Sequence, residues 1–498
     1  MDSTQYILSP EAAHEAEQQW RVVKRSVDAR QRELRVHLTI LTDDEGRPIA
    51  KDAPIPLYTP PVFRDVHQAA RSVVIIGAGP AGLFAALTLL EHGIKPIIFE
   101  RGRPVSERKK DIALLNRNEG LNPESNYCFG EGGAGTFSDG KLFSRSKKRG
   151  NMQRVMELFH YFGAPDTVLY EAHAHIGSDK LPGIIKKMRE CILEHGGEIH
   201  FETKVESLSP FTINHSPIIL ALGHSAHDTY RMLAAEGVAL ETKGFAMGVR
   251  AEHQQALINS LFYHIDITSR RHDDKLIEYV GNASYSLVTQ VDGRGVYSFC
   301  MCPGGHIVPA GSEPGSCVVN GMSASHRNSP YANSGMVVQI NPEDIEGDDP
   351  LRGLAFQEDL ERLAFEHGKA PNIAPAQRMK DFVEGRASKD LPACSYLPGI
   401  VPSRLDQWLP AHIGKRLQQG FKDFDRKYPG FLTNEAVILG VESRSSSAVR
   451  IPRDPETLQS VSTPLLYPCG EGAGYAGGIT SSALDGINAA LKIAGMAQ

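Results

Sequence analysis

The sequence predicts an α/β fold, in which a Rossmann-type domain of parallel strands is interrupted by an inserted antiparallel sheet and preceded by a small α/β unit. Two observations predict it. The stretch "RSVVIIGAGPAGLFAALTLLEHGIKPIIFERG", residues 71–102, has the pattern of a strand, a glycine-rich turn, a helix and a second strand. Between residues 244 and 340, short apolar runs separated by turn residues are typical of antiparallel strands.

The first of these stretches has the features of a nucleotide cradle. A β-branched run at 73–76 predicts a strand buried on both faces, and leucines and alanines at helical spacing from 81 to 92 predict the helix after it. The turn between them has G-x-G-x-x-G spacing, which presents backbone N–H groups and a positive helix N-terminus to a pyrophosphate through Gly77, Gly79, Pro80, Ala81 and Gly82. Glu100 ends the second strand roughly 20 residues later, where an acidic side chain binds ribose hydroxyls, and Arg101 follows it.

The same stretch has two other interpretations. Its uncharged run from residue 73 to 90 reaches the lower limit for a membrane span, but three glycines and a proline would weaken a helix that faces lipid. A glycine-rich turn in another kind of α/β protein is the second alternative, which the acidic end of the second strand disfavours. We therefore interpret the stretch as a nucleotide cradle.

The cradle alone does not distinguish FAD from NAD. Its bare spacing recurs at 130–135 and 472–477, but neither copy opens a second strand–helix–strand unit, which argues against a two-Rossmann disulfide reductase. Two further apolar strands end in glycine, at Gly223 in "PIILALGHSAHD" and at Gly470-Glu471 in "PLLYPCGEGAGYAGGITSS". The latter continues through Gly478 into a helix predicted to begin near Ser481. Three such junctions suit an extended dinucleotide, FAD, with NAD(P)H remaining a possible electron donor that has no Rossmann domain of its own.

Composition excludes several classes of protein. A chain of 498 residues with 41% hydrophobic and 22% charged residues is typical of a soluble globular enzyme of roughly three domains. A net charge of −6 does not indicate nucleic-acid binding, so the basic clusters at 101–110 and 147–149 are interpreted as solvated faces. We expect no signal peptide and no membrane span, and seven scattered cysteines fit a reducing cytoplasm. The predicted partner is a small-molecule substrate, and the oligomeric state is left open.

The chain is predicted to divide at residues 70, 243 and 434. Residues 1–70 form the small α/β unit, with a helical pattern over 11–30, a strand in "ELRVHLTILT" and a proline-rich linker in "KDAPIPLYTPPVF"; a regulatory or partner-binding module is the alternative. Residues 71–243 and 435–498 form the nucleotide domain, with a polar loop over 103–149 and a helix over 181–194. Residues 244–434 form the inserted substrate domain, which ends in helices over 351–367 and 405–428.

Four motifs together resemble one family. "GEGGAGTFSDGKL", "FCMCPGG", "GVESRSSSAVRI" and "YPCGEGAGYAGGI" are similar to those of bacterial FAD-dependent dehydrogenases of unassigned substrate, which belong to the flavoproteins sharing the p-hydroxybenzoate hydroxylase fold. The resemblance runs from about residue 18 to the C-terminus. It implies that FAD is held by Gly77, Gly79, Gly82 and Glu100, with further contacts from Gly223, Gly470 and Glu471, and with Gly132 and Gly133 at the isoalloxazine. Between "FETKVESL" and "PIILALG" the chain is shorter than the β-meander that such flavoproteins usually carry.

The loop "YCFGEGGAGTFSDGKL" has two interpretations. Four glycines between residues 130 and 135 predict either a flexible loop or a segment rich in free N–H groups that lies against the flavin ring or phosphates, and we favour the second. Ser138, Asp139 and Lys141 would close that segment. Lys141 could face the N1–C2 edge of the flavin, where positive charge stabilises the reduced anionic ring, or it could be solvated.

Other catalytic candidates are weaker. Strand alternation places Cys300 and Cys302 on one face, either as a dithiol or, as we favour, as small buried side chains, because the C-x-x-C spacing of redox motifs is absent. His306 could act as an acid or base or be structural. Arg444, in "GVESRSSSAVR", could bind an anion together with Glu442 and Ser443 or form an internal salt bridge.

A metal site is not expected. Glu171, His173 and His175 alternate and could share a strand face as ligands. The chain needs no metal, however, if the flavin does the redox chemistry. The sequence therefore predicts an FAD-dependent dehydrogenase or reductase that transfers a hydride between the flavin and an organic substrate. A flavin monooxygenase and a non-enzymatic flavin-binding sensor or partner protein are the alternatives.

Overall fold

The structure is a computed structural model. It describes residues 2–143, 150–212, 215–265 and 270–495, without the side chains of residues 270–274. The basic cluster at 147–149 lies outside the described residues.

The N-terminal unit is a three-stranded antiparallel sheet with one helix. Its elements are β1 Asp2–Leu8, α1 Pro10–Gln19, β2 Val22–Asp28 and β3 Arg35–Thr42, with β3 in the centre of the sheet. Ser9 begins α1 by accepting a hydrogen bond from the N–H of Ala12. The helix predicted over 11–30 therefore ends at Gln19. The prediction failed because the second half of the charged segment completes an edge of the sheet and pairs with β3 from Val22 onward.

The next segment contains the predicted cradle. Its elements are β4 Ser72–Ile76, α2 Pro80–Glu91, β5 Lys95–Phe99, α3 Val105–Asn116, α4 Met152–Tyr161, α5 Leu181–Glu194, β6 Glu198–His200, α6 Ser209–Thr212, β7 Ile218–Leu220, α7 His227–Ala235 and β8 Glu241–Thr242. Helix α3 lies within residues 103–149, which the sequence predicted to be polar and rich in loops. Its buried face combines Val105, Ile112 and Leu115 with the charged residues Arg108 and Asp111, which hid the apolar periodicity.

The inserted segment begins with a long strand and ends with a helical layer. Its elements are β9 Phe245–Gln254, α8 Gln255–Tyr263, α9 Arg270–Val280, β10 Val288–Val291, β11 Arg294–Cys302, β12 His306–Pro309, β13 Val319–Met322, β14 Tyr331–Ile340, α10 Arg352–Gly368, β15 Ala374–Arg378, α11 Met379–Glu384, β16 Ile400–Pro402, α12 Leu405–Trp408 and α13 Ala411–Lys427. Pro410 divides the single helix predicted over 405–428, because it stands at the N-cap of α13.

The last segment returns to the nucleotide domain. Its elements are β17 Val437–Glu442, β18 Val449–Arg450, β19 Leu466–Pro468 and α14 Ile479–Ala494. The last helix begins two residues before the predicted Ser481, with Gly478 at its N-cap.

Two large sheets confirm the predicted fold class. A five-stranded parallel sheet has the order β19-β7-β4-β5-β6, so its strands come from both ends of the nucleotide domain. A seven-stranded sheet has the order β10-β11-β14-β9-β17-β15-β16 and is antiparallel except at β15 and β16. Strand β17 lies in this second sheet, beyond the predicted boundary at residue 434. The division at residues 70, 243 and 434 stays a prediction.

The uncharged run of the cradle is a buried core element. Every residue of α2 from 81 to 90 is buried, because the parallel sheet covers one side and α14 covers the other. The two helices approach so closely that a Cβ at Gly486 would lie 2.0 Å from the carbonyl oxygen of Ala81. Within the part of the chain that the structure describes, no helix has both the length and the apolarity to cross a bilayer. Between β6 and β7, the described residues form only α6 and no meander.

Candidate cofactor-binding site

The three glycines of the first turn have different structural roles. Gly77 has φ +105°, and a Cβ there would lie 2.6 Å from the carbonyl oxygen of Ala221 on the neighbouring strand end. A Cβ at Gly82 would lie 2.0 Å from the oxygen of Gly77, so this glycine lets helix α2 pack on the turn. A Cβ at Gly79 would meet nothing among the described residues nearer than the Cα of Gly133 at 3.8 Å. Gly79 therefore leaves room above the turn, where α2 begins.

Glu100 joins three parts of the site through its buried carboxylate. One oxygen, Oε2, accepts a hydrogen bond from the N–H of Ala78 at 2.8 Å. The other, Oε1, accepts from the N–H groups of Gly102 at 2.9 Å and Gly130 at 3.0 Å. Since a carboxylate oxygen can accept two hydrogen bonds, Oε2 retains capacity for a ribose hydroxyl. The predicted role of Glu100 fits this geometry and stays a prediction.

The glycine-rich loop 130–135 lies directly on the first turn. The N–H of Gly132 donates to the carbonyl oxygen of Ala78 at 2.8 Å, and residues 133–135 form a 3₁₀ turn. Gly132 has φ +80°, and a Cβ there would lie 2.0 Å from the hydroxyl of Thr136. The loop is therefore ordered, and it brings Gly133 beside Gly79.

Two arginines, one buried and one half-buried, fix this loop. The guanidinium of Arg108 is buried and donates to the carbonyl oxygens of Asn126, Tyr127, Gly130 and Glu131, at 2.8 to 3.2 Å. Burial lowers the pKa of Arg108 to about 10. Arg101 stacks on Phe129 at 4.0 Å and pairs with Glu124 and Asp228.

The interpretation of 101–110 as a solvated face is therefore wrong at Arg101 and Arg108, whose partners lie far along the sequence. Lys109 and Lys110 are exposed, as that interpretation requires. The predicted contact of Arg101 with the cofactor stays a prediction, because its guanidinium is already engaged by two carboxylates.

The C-terminal glycines also lie near the N-terminus of α2. The N–H of Gly470 donates to Asp485 at 2.8 Å, and a Cβ on Gly470 would lie 3.1 Å from the Cβ of Ala81. A Cβ on Gly135 would lie 2.8 Å from Ile479, the first residue of α14. The segments 77–82, 130–135 and 470–479 therefore meet around the N-terminus of α2. Asp485 also pairs with Arg453 at 2.7 Å. The sequence did not indicate this residue, because one acidic residue inside an apolar helix gives no signal of its partners.

The surface where the three segments meet fits a dinucleotide. Cβ atoms at Gly223, Gly477 and Gly478 would meet no described atom within 4 Å. Glu471 lies beside His224, with its Oε1 3.5 Å from Nδ1. Helices α2 and α14 both begin here, and free N–H groups at helix N-termini favour phosphate. A long ligand that carries two phosphates suits this arrangement better than a compact one.

Lys141 and Asp139 lie between this surface and the inserted sheet. The Nζ of Lys141 lies 3.2 Å from Oδ2 of Asp139 and 3.8 Å from the sulfur of Cys302 on β11. Asp139 also pairs with Arg327 of the inserted segment. Although burial opposes its charge, the Lys141 and Arg327 cations hold the pKa of Asp139 well below its usual range. The loop after the glycines thus contacts the sheet through charged groups.

Regular strand alternation does not hold at Cys300 and Cys302. The register between β11 and β14 shifts between Phe299 and Cys302, and Cys300 has φ +45° within this bulge. Cys302 is buried, whereas Cys300 is exposed. The preferred interpretation as two buried side chains is therefore wrong at Cys300. It assumed regular alternation, which the bulge interrupts.

Arg444 belongs to an internal ion pair. Its guanidinium donates to both carboxylate oxygens of Glu361, at 2.9 and 2.8 Å, and to the hydroxyl of Ser312 at 2.7 Å. Ser443 bonds the same carboxylate, and Glu442 instead pairs with Arg250 at 3.2 Å. Of the two interpretations, the salt bridge is the one that the structure contains.

His306 is the first residue of β12, and burial lowers its pKa.

The three alternating residues at 171–175 do not converge. Glu171 pairs with Arg25 at 2.7 Å, His173 packs on the ring of Phe143, and His175 bonds the carbonyl oxygen of Ser325. Among the described residues, a different group has ligand atoms within 4.8 Å of one another: His227, Glu313 and Glu358. Arg231 already pairs with the last of these carboxylates.

Comparison with known proteins identifies two matched parts of the chain. A family model for an FAD binding domain matches residues 70–283, and a model for the C-terminal domain of FAD-dependent proteins matches residues 244–445. A protein of Clostridium beijerinckii described as "Uncharacterized protein" is 43% identical over 436 residues, which make up 84% of this chain and 80% of that protein.

Solved structures show weaker similarity. The chain is similar to CtdE bound to FAD and a substrate, with a TM-score of 0.29 and 11% identity over 85% of this chain and 80% of that one. It is similar to the halogenase PltM, with a TM-score of 0.34 and 12% identity over 85% and 68%. For the tetracycline destructase Tet(51), the TM-score is 0.32 with 10% identity over 85% and 81%. Similarity at this level says nothing about what this chain acts on.

The identity to the relative extends over most of both chains, and the two family models that describe FAD-dependent proteins together span residues 70–445. The chain belongs to the family of FAD-dependent proteins of unassigned substrate, and it is an FAD-binding flavoprotein of the oxidoreductase class.

Proposed function

We propose that the protein is an FAD-dependent dehydrogenase or reductase, which transfers a hydride between the flavin and an organic substrate held against the seven-stranded sheet. The convergence of three glycine-rich segments at the N-terminus of α2 is the observation that carries the proposal. Lys141 follows the second segment, and the solvent-accessible space around it, between that segment and the inserted sheet, is named the cleft. FAD supplies the two-electron chemistry when bound, and the protein supplies position and charge.

Each segment has a proposed role in holding FAD. Gly79 and the N–H groups at the start of α2 receive the pyrophosphate, and Glu100 accepts a ribose hydroxyl through its Oε2. Gly132 and Gly133 approach the isoalloxazine side of the molecule. The remaining proposed contacts are Gly77, Pro80, Ala81, Gly82 and Arg101 in the first unit, and Gly223, Gly470, Glu471 and Gly478 in the later segments.

The cleft beside the glycine-rich loop supplies the charge. Burial opposes the charge of Lys141, but neighbouring Cys302 and Asp139 raise its pKa above the ordinary value, so the side chain stays an ammonium ion. A fixed positive charge at this place stabilises negative charge that develops on a substrate or on a reduced ring. Cys302 and His306 remain candidates for moving a proton.

A cytoplasmic location and NAD(P)H as electron donor are part of the same proposal.

The test is an anaerobic reduction of the purified full-length protein. The protein is isolated, its absorbance spectrum is recorded, and NADH, NADPH and organic substrates are added without oxygen. We expect a yellow protein whose flavin band bleaches with a suitable donor or substrate. A colourless protein that does not take up added FAD would contradict the proposal, because the protein would then have no flavin to carry the hydride.

The alternatives predict other results. Consumption of oxygen with formation of an oxygenated product, and little free peroxide, would assign a monooxygenase. Stoichiometric capture of a protein partner, without turnover under any donor, would assign a sensor.

A further inference from the structure

The cleft between the glycine-rich loop and the inserted sheet is deep but open. Lys141 is surrounded by protein, yet 35% of its side chain is accessible. Cys300 is likewise deep within the molecule, and it is the exposed member of the seven cysteines, all of which the structure describes. The bulge at φ +45° displaces Cys300 from the regular strand. A molecule that enters from solvent can therefore meet both side chains.

The charges around this cleft do not cancel. Three cations lie here: Lys141, Arg327 and Arg250. Arg327 pairs with Asp139, and Arg250 pairs with Glu442. Since Lys141 shares the carboxylate of Asp139 with Arg327, these two cations face one carboxylate and leave one positive charge without a counter-charge. His173 and His175 add none at neutral pH, because burial lowers the pKa of both.

The excess charge is on Lys141. Arg327 binds Asp139 through two nitrogens, and Arg250 donates to Asn333, Glu442 and the carbonyl oxygen of Cys300. The ammonium of Lys141 has three donors, and its two close polar neighbours are Asp139 at 3.2 Å and the Cys302 sulfur at 3.8 Å. It has spare donor capacity that faces the opening.

Two buried polar atoms next to Arg250 also lack partners. Oε2 of Glu442 and Nδ2 of Asn333 have no hydrogen bond to any described residue, although both side chains bond Arg250 through their other atom. Both side chains are at least 99% buried. The unpartnered Nδ2 of Asn333 is a donor that suits an anion, whereas Oε2 of Glu442 is an acceptor that needs a water or another donor.

We propose that this cleft binds the anionic group of the substrate, so that the substrate is an organic anion such as a carboxylate and Lys141 determines the specificity for negative charge. The proposal rests on the proposed function for the presence of a substrate in the cleft. An ammonium that shares its one carboxylate with an arginine gains more from a carboxylate ligand than from a neutral one.

The exposed thiol provides a direct readout of the charge. Iodoacetate is anionic and iodoacetamide is neutral, and both alkylate cysteine by the same reaction. The ratio of their rates at Cys300 reports the local potential, and it cancels changes in the fraction of reactive thiolate. Cys394 is a matched internal control, because burial raises its pKa to about 11, as it does for Cys300, and its charged neighbour is Glu252.

The experiment uses the full-length protein with oxidised FAD bound, in mildly alkaline buffer, with mass spectrometry of the two peptides. We expect the iodoacetate-to-iodoacetamide ratio to be about tenfold higher at Cys300 than at Cys394. Lys141→Gln should abolish the difference and Lys141→Arg should retain it. Benzoate should protect Cys300 from iodoacetamide more strongly than benzamide does.

Three results would overturn the proposal. A ratio at Cys300 that Lys141→Gln leaves unchanged would show that the cleft has no excess charge from this residue. No alkylation of Cys300 in the folded protein would show that the cleft is closed. Loss of FAD from Lys141→Gln, with retention in Lys141→Arg, would assign the cation to the cofactor. Failure of the proposed function is seen separately, as a wild-type protein without flavin absorbance.

Discussion

The backbone N–H of Gly132 donates to the carbonyl oxygen of Ala78 at 2.8 Å, which fastens the glycine-rich loop to the first turn. These residues are more than fifty positions apart, yet the bond places Gly133 beside Gly79. A dinucleotide at the start of α2 would therefore be approached by both segments. The cofactor site is thus a property of two loops together, and each loop can be tested separately.

Replacing Gly79 by valine should remove FAD while leaving the fold intact. The new Cβ meets nothing among the described atoms nearer than 3.8 Å, but it projects into the room where the pyrophosphate is proposed to lie. The flavin absorbance per mole of protein and the thermal unfolding of the cofactor-free protein measure the two effects. A Gly79→Val protein that retains stoichiometric FAD would place the pyrophosphate elsewhere.

Gly82→Ala is the contrasting variant. Its Cβ would lie 2.0 Å from the carbonyl oxygen of Gly77, so α2 must shift from the turn. We expect a lower melting temperature even without cofactor, in contrast to Gly79→Val. Equal stability of the two cofactor-free variants would contradict these different roles.

Replacing Arg108 by methionine should destabilise the protein by about 3 kcal/mol, because four carbonyl oxygens of the loop lose a charged donor. Urea unfolding measures this loss, and hydrogen exchange of residues 126–131 should become faster than in the wild type. Arg108→Lys should rescue little, since an ammonium cannot reach all four oxygens in the plane of a guanidinium. Full rescue by lysine would show that charge alone holds the loop.

The carboxyl of Glu252 should make the stability depend on pH. Burial raises its pKa from 4.5 to about 7, although Ser395 donates to it twice. Because the folded state binds this proton more tightly than the unfolded state, the free energy of unfolding falls as the pH rises from 4.5 through 7. The loss from this residue is about 3 kcal/mol.

Glu252→Gln isolates this effect. Glu442, whose pKa burial raises to about 6, contributes the same slope to both proteins and cancels in the difference. Unfolding in urea at about pH 5 and about pH 8 should show that the wild type loses stability relative to the variant as the pH rises. A difference that is independent of pH would contradict the assignment.

Arg25→Met should loosen the N-terminal unit. The guanidinium of Arg25 bonds Glu17 in its own unit, Glu171 in the nucleotide domain and the carbonyl oxygen of Tyr279 in α9, all within 2.7 Å. Its loss should cost about 2 kcal/mol and speed proteolytic cleavage in the proline-rich linker. Arg30→Met is the control, because Arg30 is exposed and pairs with Asp28 of the same unit. Equal cleavage of both variants would show that Arg25 does not join the domains.

The sequence predicted those parts of the fold that local pattern encodes. The strand, turn and helix from β4 to α2 follow from β-branched residues, glycine spacing and helical periodicity, and helix α5 has the predicted limits of 181 and 194. The local pattern predicted the wrong structure for residues 22–28, which form a strand that pairs with a neighbouring strand in a sheet. It also did not indicate α3, because the buried face of that helix carries Arg108 and Asp111. Strand β17 could not be assigned to the seven-stranded sheet, since its partners β9 and β15 lie far along the chain.

By itself, the sequence determined that a dinucleotide cradle exists, because the first strand, the glycine spacing from Gly77 to Gly82, the helix and the acidic end of the second strand all lie within one local stretch. Only the tertiary structure decided which distant groups complete it, namely the loop at Gly132 and the anchor at Asp485, and that the thiol of Cys300 is exposed. The physical reason is that hydrogen bonds, ion pairs and bulges between remote segments depend on where the chain returns in space. A charged residue's own neighbours in sequence do not show whether it will be solvated, as Lys109 is, or buried, as Arg108 is.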